Sequence, residues 1–123
     1  GQLGKMIAQE AKRMSLKVII LDPSHDCPAS FVSDEIIVAD FKDEAAIRRL
    51  AAMSDILTYE IELANSTALK DLESKNYPVY PSPETLRLIQ NKNRQKSFLQ
   101  DNKIAVAKFD LVRSQRWQSL MLQ

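Results

Sequence analysis

The fold is decided by the opening stretch Gly1-Gln2-Leu3-Gly4-Lys5-Met6 and by the run that follows it, Val18-Ile19-Ile20-Leu21-Asp22. The opening stretch predicts a glycine turn and then a helix, and the aliphatic run is typical of a parallel strand covered on both faces. Backbone N–H groups at such a turn can approach a phosphate or a sugar, because the helix dipole favours negative charge there. Asp22 stands at the carboxyl end of the strand, where open α/β sheets bind their ligands.

The predicted helix carries an apolar stripe that indicates one buried face. Its members recur at helical spacing and are Leu3, Ile7, Ala8, Ala11 and Met14. A glycine turn of this kind normally follows a strand, and the sequence shows none before Gly1. We therefore expect the first strand of the sheet to be missing.

Composition is that of an ordinary globular protein. The 123 residues allow one domain with a core of its own, and 45% of them are hydrophobic and 27% charged. The net charge of +1 favours neither nucleic acid nor a membrane surface as a partner. No apolar run could span a bilayer and no signal-peptide pattern opens the chain. The single cysteine, Cys27, allows no internal disulfide, so a cytoplasmic location is predicted.

The rest of the chain alternates predicted strands with predicted helices. Strands are expected at 35–40, 55–60, 77–81 and 109–112. Helices are expected at 43–53, where Asp43 is the cap, and at 92–100. Another helix should follow a cap at Asn65 or Ser66, and a further one should begin at Pro83. A short helical piece is expected at 29–33, and an amphipathic end should carry Trp117, Leu120 and Met121.

This alternation predicts an α/β fold with one mainly parallel, Rossmann-like sheet and helices on both faces. Four strands, near Val18, Ile36, Ile56 and Val79, should belong to that sheet. The missing strand is expected between the second strand and the strand that ends at Glu60, where it should leave a gap, exposed apolar surface or room for a partner chain.

Three groups of residues could bind a ligand. The first is the glycine turn itself. The second is Tyr59-Glu60-Ile61-Glu62, in which Glu60 could accept hydrogen bonds from sugar hydroxyls or be a solvated loop acid. The third is Pro81-Ser82-Pro83 with the basic helix that follows, which could meet a phosphate or be a solvated face.

No metal site is predicted. His25, Asp26 and Cys27 fall short of the usual closed zinc shell, which needs four ligands. The residues taken one by one leave two interpretations open: a dinucleotide-binding Rossmann unit, or another α/β domain that binds a ligand. A dinucleotide binder should have a complete G-x-G-x-x-G, and here only Asp22, the acid of that pattern, is present.

The order of seven short motifs resembles the 5-(carboxyamino)imidazole ribonucleotide synthase family, the ATPase subunit of phosphoribosylaminoimidazole carboxylase. The motifs are Gly-Gln-Leu-Gly-Lys-Met, Val-Ile-Ile-Leu-Asp-Pro, Cys-Pro-Ala, Ile-Val-Ala-Asp, Thr-Tyr-Glu-Ile-Glu, Pro-Ser-Pro and Gln-Asn-Lys…Lys-Ser-Phe-Leu. The resemblance runs from Gly1 to about Phe109. It implies a pre-ATP-grasp domain over residues 1–105, truncated at its start, and at 106–123 the beginning of the ATP-grasp region or an irregular tail.

The resemblance implies a fragment of an ATP-dependent ligase of purine biosynthesis. Such an enzyme carboxylates the exocyclic amine of 5-aminoimidazole ribonucleotide with bicarbonate, which ATP activates as carboxyphosphate. The implied small molecules are the ribonucleotide, bicarbonate and ATP with Mg²⁺, whose ligands would lie outside this chain. The full-length enzyme is expected to be a homodimer, and this fragment alone is expected to be inactive.

The resemblance also assigns roles to four residues and names no catalytic residue. Gln2 and Leu3 would hold the substrate ribonucleotide, Glu60 would face its ribose, and Lys92 would contact ATP where the family usually has arginine. The related formate-dependent glycinamide ribonucleotide transformylase has an acid where Gln2 stands and a proline where Tyr59 stands, which favours the synthase. That relative and a non-catalytic Rossmann-like nucleotide-binding module remain the alternatives.

Overall fold

The computed structural model of the protein describes residues 1–110. Five helices and four strands are described there: α1 Gln2–Arg13, β1 Ile19–Asp22, β2 Glu35–Val38, α2 Glu44–Ala52, β3 Leu57–Thr58, α3 Ser66–Ser74, β4 Val79–Tyr80, α4 Pro83–Ile89 and α5 Lys92–Asp101. Gly1–Arg87 form one compact unit, and the described residues from Leu88 onward belong to a second. The domain boundary near residue 105 stays a prediction.

All strand pairing in the described part of the chain is parallel, which confirms the α/β class. β1 pairs with β2 from Ile19↔Glu35 to Asp22↔Val38, and β3 pairs with β4 at Leu57↔Val79 and Thr58↔Tyr80. Within residues 1–110 the two pairs form two separate two-stranded sheets, whereas the sequence predicts one sheet with a gap left by its missing strand.

The break lies between the β1–β2 pair and the β3–β4 pair, as expected for a strand missing between them. The start of α1 reaches both sides of this break. The Gly1 ammonium hydrogen-bonds to Asp22 at the end of β1, and a Cβ built on Gly1 would be 3.7 Å from the Oε1 atom of Glu60, which follows β3. β1 and β3 therefore end close to the same helix terminus, although no hydrogen bond of a ladder joins these two strands in residues 1–110.

Side chains cap the helices at the positions that the sequence indicates. Asp43 accepts a hydrogen bond from the Ala46 N–H at 3.0 Å before α2. Asn65 caps α3 by accepting from the N–H groups of Thr67 and Ala68, which decides between the two predicted caps. Such contacts satisfy N–H groups that have no partner within the first turn of the helix.

The core of the first unit lies between its strands and the helices α2 and α3. α2 contacts β1 and α3, and α3 contacts β4. The side chains buried there are Ile47, Ala51, Leu57, Ala68, Leu69, Leu72, Val79 and Leu86. They account for most of the apolar residues at helical spacing in α2 and α3, as the sequence predicts.

The buried face predicted for α1 is wrong. Only Ala8 is buried, whereas Leu3, Ile7 and Met14 are 59%, 43% and 72% exposed. The predicted glycine turn is also absent, because Gly1 is the N-cap of α1 and Gln2 already lies in the helix.

Other differences concern the lengths of elements. The piece at 29–33 forms turns and no helix, and the strands predicted at 35–40 and 55–60 end sooner or are shorter. The strand predicted at 109–112 is not formed at 109–110, and its remainder lies outside the described residues, as do Trp117, Leu120 and Met121. In the part of the chain that is described, no helix has the length and apolarity needed to cross a membrane.

Candidate functional site

Two carboxylates converge on the N-terminus of α1. The Gly1 ammonium donates to Oδ2 of Asp22 at 3.1 Å. The Oε1 atom of Glu60 lies 3.7 Å from the place that a Cβ would take on Gly1, and equally 3.7 Å from that place on Gly4. The helix terminus carries partial positive charge, so it stabilises acids held this close.

Asp22 is buried, and its carboxylate is occupied by its own neighbours. Oδ1 accepts from the Ser24 backbone N–H at 2.9 Å, while Oδ2 accepts from Gly1. Burial by itself raises the pKa of this carboxyl, but the hydrogen bonds from Ser24, the Gly1 ammonium and the Cys27 thiol together lower it below its ordinary value. Asp22 therefore stays ionised and fixes the start of α1 against the loop after β1.

Glu60 differs from Asp22, because it is exposed and its carboxylate has no hydrogen-bond or ion-pair partner within residues 1–110. It lies two residues beyond β3, at the carboxyl end of a parallel strand. Both oxygens are open to a ligand that approaches the N-terminus of α1. An acid in this position can accept hydrogen bonds from hydroxyl groups.

Gly4 keeps the space beside Glu60 free. A Cβ at this position would be 3.7 Å from Oε1 of Glu60 and 3.9 Å from the Cβ of Ala29. These are ordinary contact distances, so a side chain would be tolerated sterically but would stand against the carboxylate. Glycine leaves the backbone of the first helical turn accessible.

The segment that carries Glu60 is tied to the turn before α4. The Tyr59 hydroxyl donates to the Ser82 carbonyl oxygen at 2.9 Å. Burial of the ring raises the pKa of Tyr59, and the nearby Leu86 N–H lowers it by less, so the phenol remains a donor at neutral pH. Sequence reasoning missed this bond. Its signal was a tyrosine at the end of one strand and a Pro-Ser-Pro turn at the end of the next.

Three of the four predicted site residues lie in the same region. Gln2 and Leu3 occupy the first turn of α1, between the two glycines that face Glu60. Lys92 belongs to the second unit, where it is exposed and begins α5. Its Nζ atom is 3.4 Å from Oε1 of Gln95, a weak contact that leaves the ammonium accessible.

No group of three or more histidine, cysteine, aspartate or glutamate side chains that could hold a metal ion occurs within residues 1–110. The exposed His25 ring contacts Oδ1 of Asp26 at 3.0 Å, while Cys27 is buried.

A surface depression of about 410 Å³ lies on the C-terminal half of α1, away from the residues named above. Its charged lining side chains are paired: Lys12 with Asp34 at 2.6 Å and Arg13 with Glu10 at 3.4 Å. Because these charges satisfy one another, we assign the candidate site to the N-terminal end of the helix.

Comparison with known proteins identifies the family of the chain. Residues 1–90 match the family described as the ribonucleotide synthetase preATP-grasp domain. The N5-carboxyaminoimidazole ribonucleotide synthase of Staphylococcus saprophyticus is 42% identical over 109 residues, which are 89% of this chain and 29% of that protein. The chain thus spans less than a third of the length of this relative.

Solved structures show the same similarity. The N5-carboxyaminoimidazole ribonucleotide synthetase of Thermotoga maritima is 44% identical, with a TM-score of 0.83 over 98% of this chain and 34% of that one. The Aspergillus clavatus synthase, solved with ADP and 5-aminoimidazole ribonucleotide, is 34% identical, with a TM-score of 0.70 over 88% of this chain and 29% of that one. The chain belongs to the ribonucleotide synthetase preATP-grasp domain family.

Proposed function

We propose that the chain is the pre-ATP-grasp part of an ATP-dependent ligase, 5-(carboxyamino)imidazole ribonucleotide synthase. The whole enzyme would carboxylate 5-aminoimidazole ribonucleotide with bicarbonate in de novo purine biosynthesis. The observation that carries the proposal is the meeting of the α1 N-terminus with the exposed carboxylate of Glu60, in a chain 44% identical to a synthetase of this activity.

The proposed role of this chain is to hold the ribonucleotide. Glu60 would accept hydrogen bonds from the ribose hydroxyls, since its carboxylate has no other partner within residues 1–110. Gln2 and Leu3 would contact the same ligand from the first turn of α1. The positive end of the helix dipole favours the anionic ligand, and the glycines let it approach the backbone.

The chemical steps would take place on groups outside these residues. Bicarbonate oxygen would attack the γ-phosphorus of ATP, giving carboxyphosphate and ADP. The exocyclic amine of the ribonucleotide would then attack the carbonyl carbon, lose a proton and expel phosphate. The described residues contain no cluster suited to Mg²⁺, so we propose that the metal that accompanies ATP is bound elsewhere in the enzyme.

Lys92 is the proposed ATP contact of this chain. Its exposed ammonium, at the start of α5, is free to meet a phosphate. Lysine supplies a point charge in place of the planar fork that arginine would give. We further propose a homodimeric, cytoplasmic enzyme. The homodimer rests on the family resemblance alone, whereas the cytoplasm is also consistent with the one free cysteine, Cys27.

The test uses a full-length enzyme that contains this segment. ADP release should require bicarbonate and 5-aminoimidazole ribonucleotide together with ATP. In titration calorimetry, Glu60→Ala should weaken ribonucleotide binding by about 1–3 kcal/mol, because it removes a charged hydrogen-bond acceptor. The affinity for ATP should not change. Lys92→Ala should act chiefly on ATP.

The neighbouring acid provides the matched control, since Glu62→Ala removes an equal charge two positions farther along the same segment. This variant should bind both ligands like the parent enzyme. Equal effects of Glu60→Ala and Glu62→Ala on the ribonucleotide would contradict the assigned role. ADP release without a need for the ribonucleotide would contradict the proposed reaction.

A further inference from the structure

Two tyrosines form hydrogen bonds at opposite ends of the β3–β4 pair, which has the shorter of the two ladders within residues 1–110. The β3–β4 ladder contains only two residue pairs, Leu57↔Val79 and Thr58↔Tyr80. At its carboxyl end, the Tyr59 hydroxyl donates to the Ser82 carbonyl oxygen at 2.9 Å. At the other end, the Tyr77 hydroxyl donates to the Ser54 carbonyl oxygen at 2.5 Å. Each bond joins residues 23 positions apart.

We infer that Tyr59 is a positioning residue for the ribonucleotide site, because its bond to Ser82 sets the direction in which Glu60 leaves β3. The inference rests on the proposed function of Glu60 as the acceptor of the ribose hydroxyls. Tyr77 makes the same kind of bond at the far end of the ladder, so it shares the stabilising role and lacks the positioning role.

The bond to Ser82 is the last described anchor before Glu60. Pairing in the ladder ends at Thr58, and the Glu60 carboxylate has no partner of its own within residues 1–110. The bond from Tyr59 to Ser82 therefore limits how the backbone leaves the ladder at this point. A carboxylate on a segment without that anchor would sample more orientations, and the ligand would have to order it.

Ser82 is a rigid point of attachment. Its carbonyl oxygen also accepts the Leu86 N–H at 3.3 Å, and its Oγ accepts the Thr85 N–H at 3.3 Å. Pro83 and Leu86 are the largest fully buried side chains among the described residues. The phenol is thus joined to the start of a helix that is itself held in the core.

The test compares Tyr59→Phe with Tyr77→Phe in a full-length enzyme that contains this segment. Each change deletes one hydroxyl from a partly buried ring, so the two should lower the melting temperature by similar amounts. Titration calorimetry should show about three- to tenfold weaker ribonucleotide binding for Tyr59→Phe only, with ATP binding unchanged in both variants. The ribonucleotide KM should rise while kcat changes little.

Glu60→Ala separates the inference from the proposed function. In the Glu60→Ala background, Tyr59→Phe should cause no further loss of ribonucleotide affinity, since the two residues act through one contact. If Glu60→Ala weakens binding but Tyr59→Phe and Tyr77→Phe bind alike, only the inference is overturned, and additive losses would overturn it as well. If Glu60→Ala leaves the affinity unchanged, the proposed function fails and the inference falls with it.

Discussion

Gly4 lies in a helix, but its expected importance is for the candidate site and not for the stability of that helix. It occupies the first turn of α1, where glycine is less favourable than alanine by about 0.5–1 kcal/mol. Its φ is not positive, so the backbone itself does not require glycine. A Cβ would lie at an ordinary contact distance of 3.7 Å from Oε1 of Glu60, so a side chain fits there but stands against the carboxylate. We therefore expect that glycine at this position gives up helix stability to keep the carboxylate accessible.

Gly4→Ala should therefore have opposite effects on stability and on binding. We expect the free energy of unfolding to rise by about 0.5–1 kcal/mol, because the alanine fits at ordinary contact distances. Ribonucleotide affinity in the full-length enzyme should fall, since the methyl group stands against the carboxylate. Urea unfolding and titration calorimetry measure the two quantities. Higher stability with unchanged affinity would refute the functional explanation of this glycine.

Asp22 gives the protein a pH-dependent stability of known sign. Folding lowers the pKa of this carboxyl below its ordinary value of 3.8, so the ionised form stabilises the folded state above that value. The contribution is lost as the pH falls through the lower pKa of the folded state. Asp22→Asn should cost on the order of 1–3 kcal/mol near neutral pH, and the difference from the parent should shrink in acid.

Urea unfolding of both proteins from about pH 7 to about pH 3 checks this prediction. Asp26→Asn is the matched control, because Asp26 is highly exposed and four positions away in the same loop. It should change the stability little at any pH. A constant difference between Asp22→Asn and its parent across the range would show that the carboxylate is not the source of the pH dependence.

The helices depend on contacts that a short window of sequence contains. Asn65 makes two kinds of contact at once: its Oδ1 caps α3, and its Nδ2 donates to the Lys42 carbonyl oxygen at 3.0 Å. Its backbone N–H also donates to the Phe41 carbonyl oxygen at 3.2 Å. One residue therefore starts a helix and holds the loop that precedes α2.

Asn65→Ala should destabilise the protein more than Asp43→Ala. Loss of a side-chain cap alone costs about 1 kcal/mol, which is the expectation for Asp43. The change at Asn65 also removes the bond to Lys42, so we expect about 1 kcal/mol more. Chemical unfolding of the two single variants measures the difference. Equal losses would mean that the bond to the loop contributes nothing.

The same locality explains what the sequence could predict. Asp43, Asn65 and Pro83 mark helix starts by their own chemistry, and the structure begins helices at each of them. Strands depend on distant partners. The run 55–60 has the composition of a strand, yet only Leu57–Thr58 pair with β4. The prediction of a buried apolar stripe on α1 is wrong for a related reason. Burial of a helix face depends on the surface that packs against it, which the periodicity of the apolar residues does not reveal.

In the candidate site, too, local features could be predicted from the sequence and contacts between distant residues could not. The glycines and Glu60 could be found because they belong to short motifs, and the structure brings them together at one helix end. The bond from Tyr59 to Ser82 could not be found in that way. It depends on the register Thr58↔Tyr80, which places the ends of two strands side by side, and no local pattern fixes that register.

At the scale of the whole molecule, the described residues bring candidate binding groups together at one helix end. Within residues 1–110, no carboxylate cluster suited to a metal ion is present. Phosphoryl transfer depends on metal ions and cationic groups placed around the γ-phosphate. The chain spans 29% of the Staphylococcus saprophyticus relative and 34% of the Thermotoga maritima one.

The 123-residue chain alone should therefore release no ADP from ATP in the presence of bicarbonate and the ribonucleotide. Its ribonucleotide affinity should be millimolar or undetectable. A millimolar dissociation constant corresponds to about 4 kcal/mol, and a few hydrogen bonds worth about 0.5–1.5 kcal/mol each reach no further. An ADP-release assay and a calorimetric titration of the chain, beside a full-length enzyme that contains it, provide the comparison. Turnover above background, or micromolar binding by the chain alone, would show that these residues hold a complete working site.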